Sequence, residues 1–245
     1  MLYYAVGDVH GCAAELDKLL KKIRKDAAAR AAGRAWRIVM LGDYVDRGPD
    51  SAGVLDRVMA LDAAGHAVLP GNHEQLMHDA LNAPPEAAAS VAEGWWMNGG
   101  DQTLRSYGAK SLSRRRAWKR FDVVPARHRT FLRAILEERP VYLRDDADGL
   151  FFVHAGVRPE QRLKKTSREV LLWGRARAFM AADGEAWVEG LRVVHGHTPA
   201  DGPEVHDHRV GLDTGAVYGG ALSCGVFDDG ALVRVIKAAR LATKR

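Results

Sequence analysis

Two rhythms of apolar residues alternate along the first third of the chain. Leu2 to Val6 and Arg37 to Leu41 are short apolar runs of strand length, and Ala67 to Leu69 reads as a third. Between them, Leu16, Leu19, Leu20 and Ile23 recur at helical spacing within Ala13 to Lys25. Ser51 to Leu61 reads as a second amphipathic helix, and Glu74 to Leu81 as a helix that follows a glycine-bearing turn. Strand and helix in alternation predict an α/β protein. Residues Asn82 to Pro140 break the rhythm: they lack short apolar runs, contain Pro84-Pro85 and Gly99-Gly100, and are rich in Trp and Arg, which predicts a mostly helical insertion or cap. Strand signals return in Leu150 to Val153, Arg192 to Val194 and Val210 to Leu212. A closing hairpin is predicted from Ala221 to Phe227 and Ala231 to Ile236, around the turn Asp228-Asp229-Gly230.

With 245 residues, 47% of them apolar, the chain can bury one sizeable core without disulfides, so a single domain over 1–245 is expected. Cys12 and Cys224 are isolated from each other and from any CxxC spacing, which points away from a cysteine zinc site and toward a reducing, cytoplasmic setting. Met1 to Val6 is already strand-like, with no export signal, and no apolar run approaches the length of a membrane span. The formal charge of +5 makes anionic partners plausible. Basic residues gather in Lys18 to Arg37 and in Arg105 to Arg133, where Arg114, Arg115, Arg116, Lys119 and Arg120 surround Trp118. Such a run could follow a phosphate backbone, but a solvated helix face is the plainer reading, and nucleic acid is not expected as a partner.

The chemistry is concentrated in five glycine-linked polar clusters, each just after an apolar run: Gly7-Asp8-Val9-His10-Gly11, Gly42-Asp43-Tyr44-Val45-Asp46-Arg47-Gly48, Gly71-Asn72-His73-Glu74, His154-Ala155-Gly156 and His195-Gly196-His197-Thr198. In open α/β sheets, loops at the carboxyl ends of the strands form ligand sites, so these loops converge if their strands are neighbours. Carboxylate, imidazole and amide donors without thiolate suit a pair of first-row divalent ions. Asp8 and His10, two apart, face the same way on an extended segment and could grip one ion. Asp43 can bridge to a second, with Asn72, His154 and His197 completing that site. Two such ions clamp a phosphate and generate a hydroxide nucleophile.

Taken together and in this order, GDVHG, GDYVDRG, GNHE, HAG and HGHT resemble the signature of the phosphoprotein phosphatase branch of the calcineurin-like metallophosphoesterases, in its bacterial and phage form. The resemblance runs from Gly7 to Thr198. It implies a central β-sandwich flanked by helices and two divalent ions, of manganese or iron type, with nickel, cobalt or zinc suited to the same donors. Asp8, His10 and Asp43 would hold the first ion, and Asp43, Asn72, His154 and His197 the second. It also implies that His73 is the general acid and that Asp46 orients it, while Arg47 binds phosphate with a guanidinium fork. Arg175 resembles a second phosphate-binding arginine, with Arg177 as its rival. Tyr218 is placed beside the bound phosphate or, equally, in the core. His195 is expected to orient His197 or touch substrate, whereas His66, His78, His128, His206 and His208 fall outside the motifs.

The expected activity is therefore that of a phosphomonoesterase, a serine/threonine-type protein phosphatase working by direct attack of metal-bound hydroxide, on a phosphorylated protein or small phosphoester. The alternative is a dinucleoside polyphosphate hydrolase, such as one acting on diadenosine tetraphosphate. Symmetrical hydrolases of that type carry Gln where this chain has His10, yet Gly11-Cys12 and Asp213 to Gly220 look much like them. A third reading, a non-catalytic module binding anions or nucleic acid, is opposed by the intact ligand set and by His73.

Overall fold

A computed structural model describes residues 1–159, 161–175, 177–180 and 188–239. The chain opens with β1 (Leu2–Val6), α1 (Ala13–Arg30), β2 (Trp36–Met40), α2 (Ser51–Ala63), β3 (Ala67–Val68) and α3 (Asn72–Asn82). The helices begin and end where local chemistry allows. Glu15 in the first turn of α1 and Arg30 in its last complement the helix dipole, and the Asp50 carboxylate caps α2 by accepting from Gly53 N–H at 2.8 Å. The first three strands run parallel, in the order β1, β2, β3. The final hairpin, β9 (Ala221–Asp228) and β10 (Ala231–Ala239), adds β9 antiparallel to β1, so the sheet order is β10-β9-β1-β2-β3. Asp229 and Gly230, both left-handed at φ 47 and 82, form its two-residue turn.

A second sheet, in the order β4-β5-β6-β8-β7, is built from β4 (Tyr142–Asp145), β5 (Leu150–Val153), β6 (Arg192–His195), β7 (Glu204–Val205) and β8 (Arg209–Gly211). Side chains alternate along the central strands, and each face has its own partner. Tyr3, Ala5, Val39 and Leu41 meet Leu150, Phe152, Val194 and Val210 between the sheets, whereas Leu2, Tyr4, Val6, Ile38 and Met40 face α1 and α2. On the outer side of the second sheet, Phe151, Val153 and Val193 pack against Leu171 and Leu172 of α7 (Arg168–Trp173). The result is a β-sandwich flanked by helices, as the motifs implied. β4 and β7 were not read from the sequence. They are short edge strands whose residues are partly or fully exposed, so no apolar run marks them.

Residues 82–140 are helical: α4 (Ala88–Trp95), a π-helical turn at Trp96–Gly100, α5 (Asp101–Ser106), a 3-10 segment at Arg114–Val123, and α6 (Ala126–Arg133), which runs into a second π-helical turn at Ala134–Glu138. Their apolar side chains, including Trp95, Leu104, Leu132 and Ile135, join the core under α1 and α2. Among the described residues no helix is long and apolar enough to cross a membrane.

Phe152 is fully buried between the sheets, with ring centroids 5.1 Å from Tyr3 and 6.1 Å from Phe227. Phe152→Ala should cost about 3–5 kcal/mol in equilibrium urea unfolding, from lost burial and the cavity left behind. A loss below about 1 kcal/mol would contradict the inter-sheet packing.

Candidate metal centre

β1, β2, β3 run parallel in one sheet and β5, β6, β8 in the other, and the loops at their carboxyl ends carry the polar clusters to one rim of the sandwich. There the loops interlock through their backbones. Val9 and His10 N–H both donate to Asp43 O, at 3.0 and 2.8 Å, and Gly196 N–H donates to His154 O at 2.8 Å. Buried Glu74 accepts from the N–H groups of Gly71, Asp43, Tyr44 and Val45 at 2.8, 2.8, 2.7 and 3.2 Å. Gly42, at φ 106, has no room for a side chain, since a Cβ would lie 2.6 Å from Gly71 N and 2.8 Å from His154 Nδ1. His10, Asp43, Asp46, Arg47 and His197 are also left-handed, with φ of 42, 52, 72, 67 and 65. Each such residue costs about 1–2 kcal/mol, and strain of this kind gathers at functional sites. The Asp8–His10 segment is therefore not extended as expected, because His10 turns the chain.

Asp43 sits at the middle of the rim. With His10 and His73 it forms one group of potential ligand atoms lying within 4.8 Å of one another, and with His154 and His197 it forms another. His10 Nε2 lies 3.5 Å from Asp43 Oδ2, and His154 Nε2 lies 3.3 Å from Asp43 Oδ1. Burial drives the imidazoles of His10 and His197 down to about 3 and lowers His154 as well, so all three are neutral near pH 7. His10 Nδ1 then donates to Val45 O at 2.8 Å and His154 Nδ1 to Leu41 O at 2.9 Å, which leaves each Nε2 as a lone pair aimed at the cluster. The Asn72 Oδ1 atom lies 2.9 Å from His154 Nε2 and 2.9 Å from His197 Nδ1. At the Asn72–His154 contact two acceptors thus face each other, an arrangement that a cation satisfies and that a hydrogen bond does not.

Carboxyl charge adds to this requirement. Burial, and then the carboxylates of Asp213 and Asp43, push Asp8 well above the usual carboxylate range, and it shares a hydrogen bond with Asp213. Asp8 also accepts from His197 N–H at 3.1 Å. Burial opposes ionisation of Asp43, but attraction to His154, His73 and His10 in their protonated forms and the His73 N–H outweigh it and hold the carboxyl low, with the support near pH 7 coming from His73. Three carboxyls buried together without a matching set of protonated partners form a site that favours divalent ions, and the donor set of nitrogen and oxygen fits first-row metals. The structure brings together Asp8, His10, Asp43, Asn72, His154 and His197, though His73 rather than Asp8 completes the tight group around His10.

His73 Nδ1 lies 2.7 Å from Asp46 Oδ2. Burial raises the Asp46 carboxyl above the usual carboxylate range, although it accepts from His73, from Thr103 Oγ1 at 2.7 Å and from Trp95 Nε1 at 2.9 Å. Burial would likewise lower His73, yet Asp43 and Asp46 outweigh it and keep the ring protonated above its ordinary range. Arg47 Nη1 reaches His10 Nε2 at 2.7 Å, and Arg175 Nη2 donates to His197 O at 3.1 Å. Both arginines line a cleft of about 350 Å³ with Asp43, Asn72, His73 and Tyr218. Tyr218 is 66% exposed, which excludes the core alternative. The side chain of Arg177 lies outside the described residues.

Three residues have duties that the sequence does not disclose. Trp95 and Thr103 serve Asp46 from the helical stretch, 49 and 57 residues away, and Glu74 is the anchor for the Asp43 loop. His195 does not orient His197. Its Nδ1 meets Gly196 O at 2.9 Å and its ring packs on Phe179. His128, outside the motifs, is fully buried between Tyr107 Oη at 2.6 Å and Asp56 Oδ1 at 2.8 Å, joining α6 to α2.

Comparison with known proteins adds an independent line. The profile of the calcineurin-like phosphoesterase family matches residues 1–220. The chain is 30% identical over 244 residues to the bis(5'-nucleosyl)-tetraphosphatase PrpE [asymmetrical] of Anoxybacillus flavithermus, covering 91% of this chain and 89% of the relative. The protein of the same name from Geobacillus thermodenitrificans is 30% identical over 234 residues, covering 89% and 87%. Among solved structures, a candidate diadenosine tetraphosphatase superposes with a TM-score of 0.64 at 23% identity, covering 98% of this chain and 94% of that one. A serine/threonine phosphatase from Saccharomyces cerevisiae gives 0.56 at 13% identity, covering 98% and 80%; both structures share the fold.

Glu74→Gln replaces an acceptor oxygen with an amide that faces backbone N–H groups. Leaving buried donors unpaired should cost about 2–5 kcal/mol in equilibrium unfolding. A cost under about 1 kcal/mol would show that Glu74 does not anchor the Asp43 loop.

Proposed function

The chain belongs to the calcineurin-like phosphoesterase family and is a metal-dependent phosphoesterase; from that premise we propose that it hydrolyses dinucleoside tetraphosphates. The observation that carries the substrate is the likeness, across about nine-tenths of the chain, to proteins named as asymmetrical bis(5'-nucleosyl)-tetraphosphatases. The order of preference read from the sequence, phosphoprotein before dinucleotide, is therefore reversed. The residue behind that order was His10, which separates the chain from symmetrical hydrolases; it leaves the asymmetrical ones open.

We assign Asp8, His10 and Asp43 to one divalent ion and Asp43, Asn72, His154 and His197 to a second, with manganese as the first choice. When bound, the ions activate water and offset phosphoryl charge. The remaining work falls to side chains. Arg47 and Arg175 flank the cleft, and their forks suit the oxygens of the phosphate under attack. His73, fixed through Nδ1 by Asp46, turns its Nε2 toward the cleft and gives its proton to the departing oxygen. Trp95 and Thr103 hold Asp46 in place for that purpose. A cytoplasmic setting, expected from the sequence, suits such a substrate.

The test is a parallel assay of manganese-loaded protein on diadenosine tetraphosphate and a phosphoserine peptide. The expected result is a kcat/KM at least about tenfold higher for the dinucleotide, roughly 1.4 kcal/mol of transition-state discrimination. A preference for the peptide would restore the phosphatase reading.

A further inference from the structure

Asp213 stands outside the five polar clusters and outside the ligand set assigned above, yet it is buried at the same rim. It follows β8 at the carboxyl end of the second sheet, as Asp8 follows β1 in the first. The two chain exits touch. A Cβ on Gly7 would lie 2.2 Å from Leu212 O and 3.2 Å from Asp213 N, so only glycine allows the approach. Leu212 N–H donates to His195 O at 2.8 Å and Ala200 N–H to Asp213 O at 3.1 Å, which ties the Asp213 backbone to the loop that carries His197. The turn after it fixes the side chain. Gly215 N–H donates to Asp213 Oδ1 at 3.0 Å, while Thr214 Oγ1 donates to Ala221 O and lies 2.7 Å from Ser223 Oγ. So placed, the Asp213 carboxyl, 7% exposed, meets that of Asp8, 3% exposed. The same turn continues to Tyr218 at the cleft.

We propose, resting on the two-ion assignment above, that Asp213 is a further ligand of the first ion, beside Asp8, His10 and Asp43. Asp8 must be ionised to hold an ion. Asp213 then touches one carboxylate and stands near a second, that of Asp43, and like charges out of water repel strongly. The backbone supplies only the N–H of His197 to Asp8 and of Gly215 to Asp213. Among the described residues neither carboxyl has an ion pair with a lysine or arginine, and Arg47 Nη1 is turned to His10 Nε2 at 2.7 Å. Burial, and behind it the charge of Asp43, raise Asp213 above the usual carboxylate range, which the Gly215 N–H, Asp8 and Arg47 offset only in part. An ion held by Asp8 is the cation within reach of both carboxyls. Nor is the demand for a cation peculiar to this pair, because Asn72 Oδ1 and His154 Nε2 face each other as acceptors at the same rim. With Asp213 included, the first ion is held by three carboxylates, Asp8, Asp43 and Asp213, and one imidazole, His10. The second keeps two imidazoles, His154 and His197. The first site is thereby the harder of the two, and oxygen-rich sites of that kind suit manganese.

The experiment is equilibrium dialysis of the metal-stripped full chain against manganese at fixed free concentrations, with bound ions counted by plasma mass spectrometry. Wild type is expected to hold two ions. Asp213→Asn and Asp213→Ala should each bind one of them at least about tenfold more weakly, the loss that even an outer partner of a ligand causes, and the other as wild type does. Urea unfolding separates a ligand from a merely structural residue. Without metal, Asp213→Asn should be at least as stable as wild type, because it removes a buried carboxyl beside Asp8, and manganese should stabilise it less. An Asp213→Asn protein that holds two ions as tightly as wild type would overturn the proposal, since its amide can still orient Asp8 by a hydrogen bond. An equal loss of stability with and without manganese would overturn it as well. Asp213→Ala decides the binding should the amide prevent folding. In each of these cases a wild type that holds two ions keeps the two-ion assignment intact, whereas a wild type that saturates at one ion would overturn that assignment and the added ligand with it.

Discussion

Everything at this rim depends on keeping the carboxylate of Asp43 ionised inside the protein. Its oxygens lie within 3.5 Å of His10 Nε2 on one side and 3.3 Å of His154 Nε2 on the other, with Asp8 and Asp213 adding further carboxyls that repel it. No apolar core would hold such a cluster without compensation. The fold meets the cost in two ways. Neutral imidazoles and the Asn72 amide surround the carboxylate with lone pairs that a divalent ion can use, and the backbone around it is fixed by Glu74, which gathers the N–H groups of two loops on one side chain. The left-handed backbone of Asp43 and its neighbours is tolerated because those bonds leave it no alternative.

The sandwich explains why the loops meet. Parallel strands from both sheets end at the same rim, so residues as far apart as Asp8 and His197 come within 3.1 Å of each other. The helical stretch over 82–140 then does more than cover the core. It sends Trp95 and Thr103 to the Asp46 carboxylate, and it sets a π-helical turn against Arg47, so the His73 side and the Arg47 side of the cleft are both braced by it.

Much of this was legible in the chain. Apolar runs of strand length gave β1, β2, β5, β6 and the closing hairpin, and the glycine-linked clusters after them contain the histidines that gather around Asp43. What escaped is what local pattern cannot encode. Trp95 and Thr103 act on a residue 49 and 57 positions away, and nothing in their surroundings marks them. Glu74 stands inside a recognised motif, but its duty is to backbone N–H groups, which every residue carries. Asp8 and His10 were read as an extended pair because the positive φ of His10 follows from contacts with the Asp43 loop, not from its neighbours.

The central claim is that Asp43 is shared by two ions, and the direct measurement is the count of divalent metal per chain by plasma mass spectrometry after manganese loading and removal of excess. Wild type should hold two ions and Asp43→Asn should lose both together at the same free metal concentration. A wild type that saturates at one ion, or an Asp43→Asn protein that retains two, would contradict the shared carboxylate.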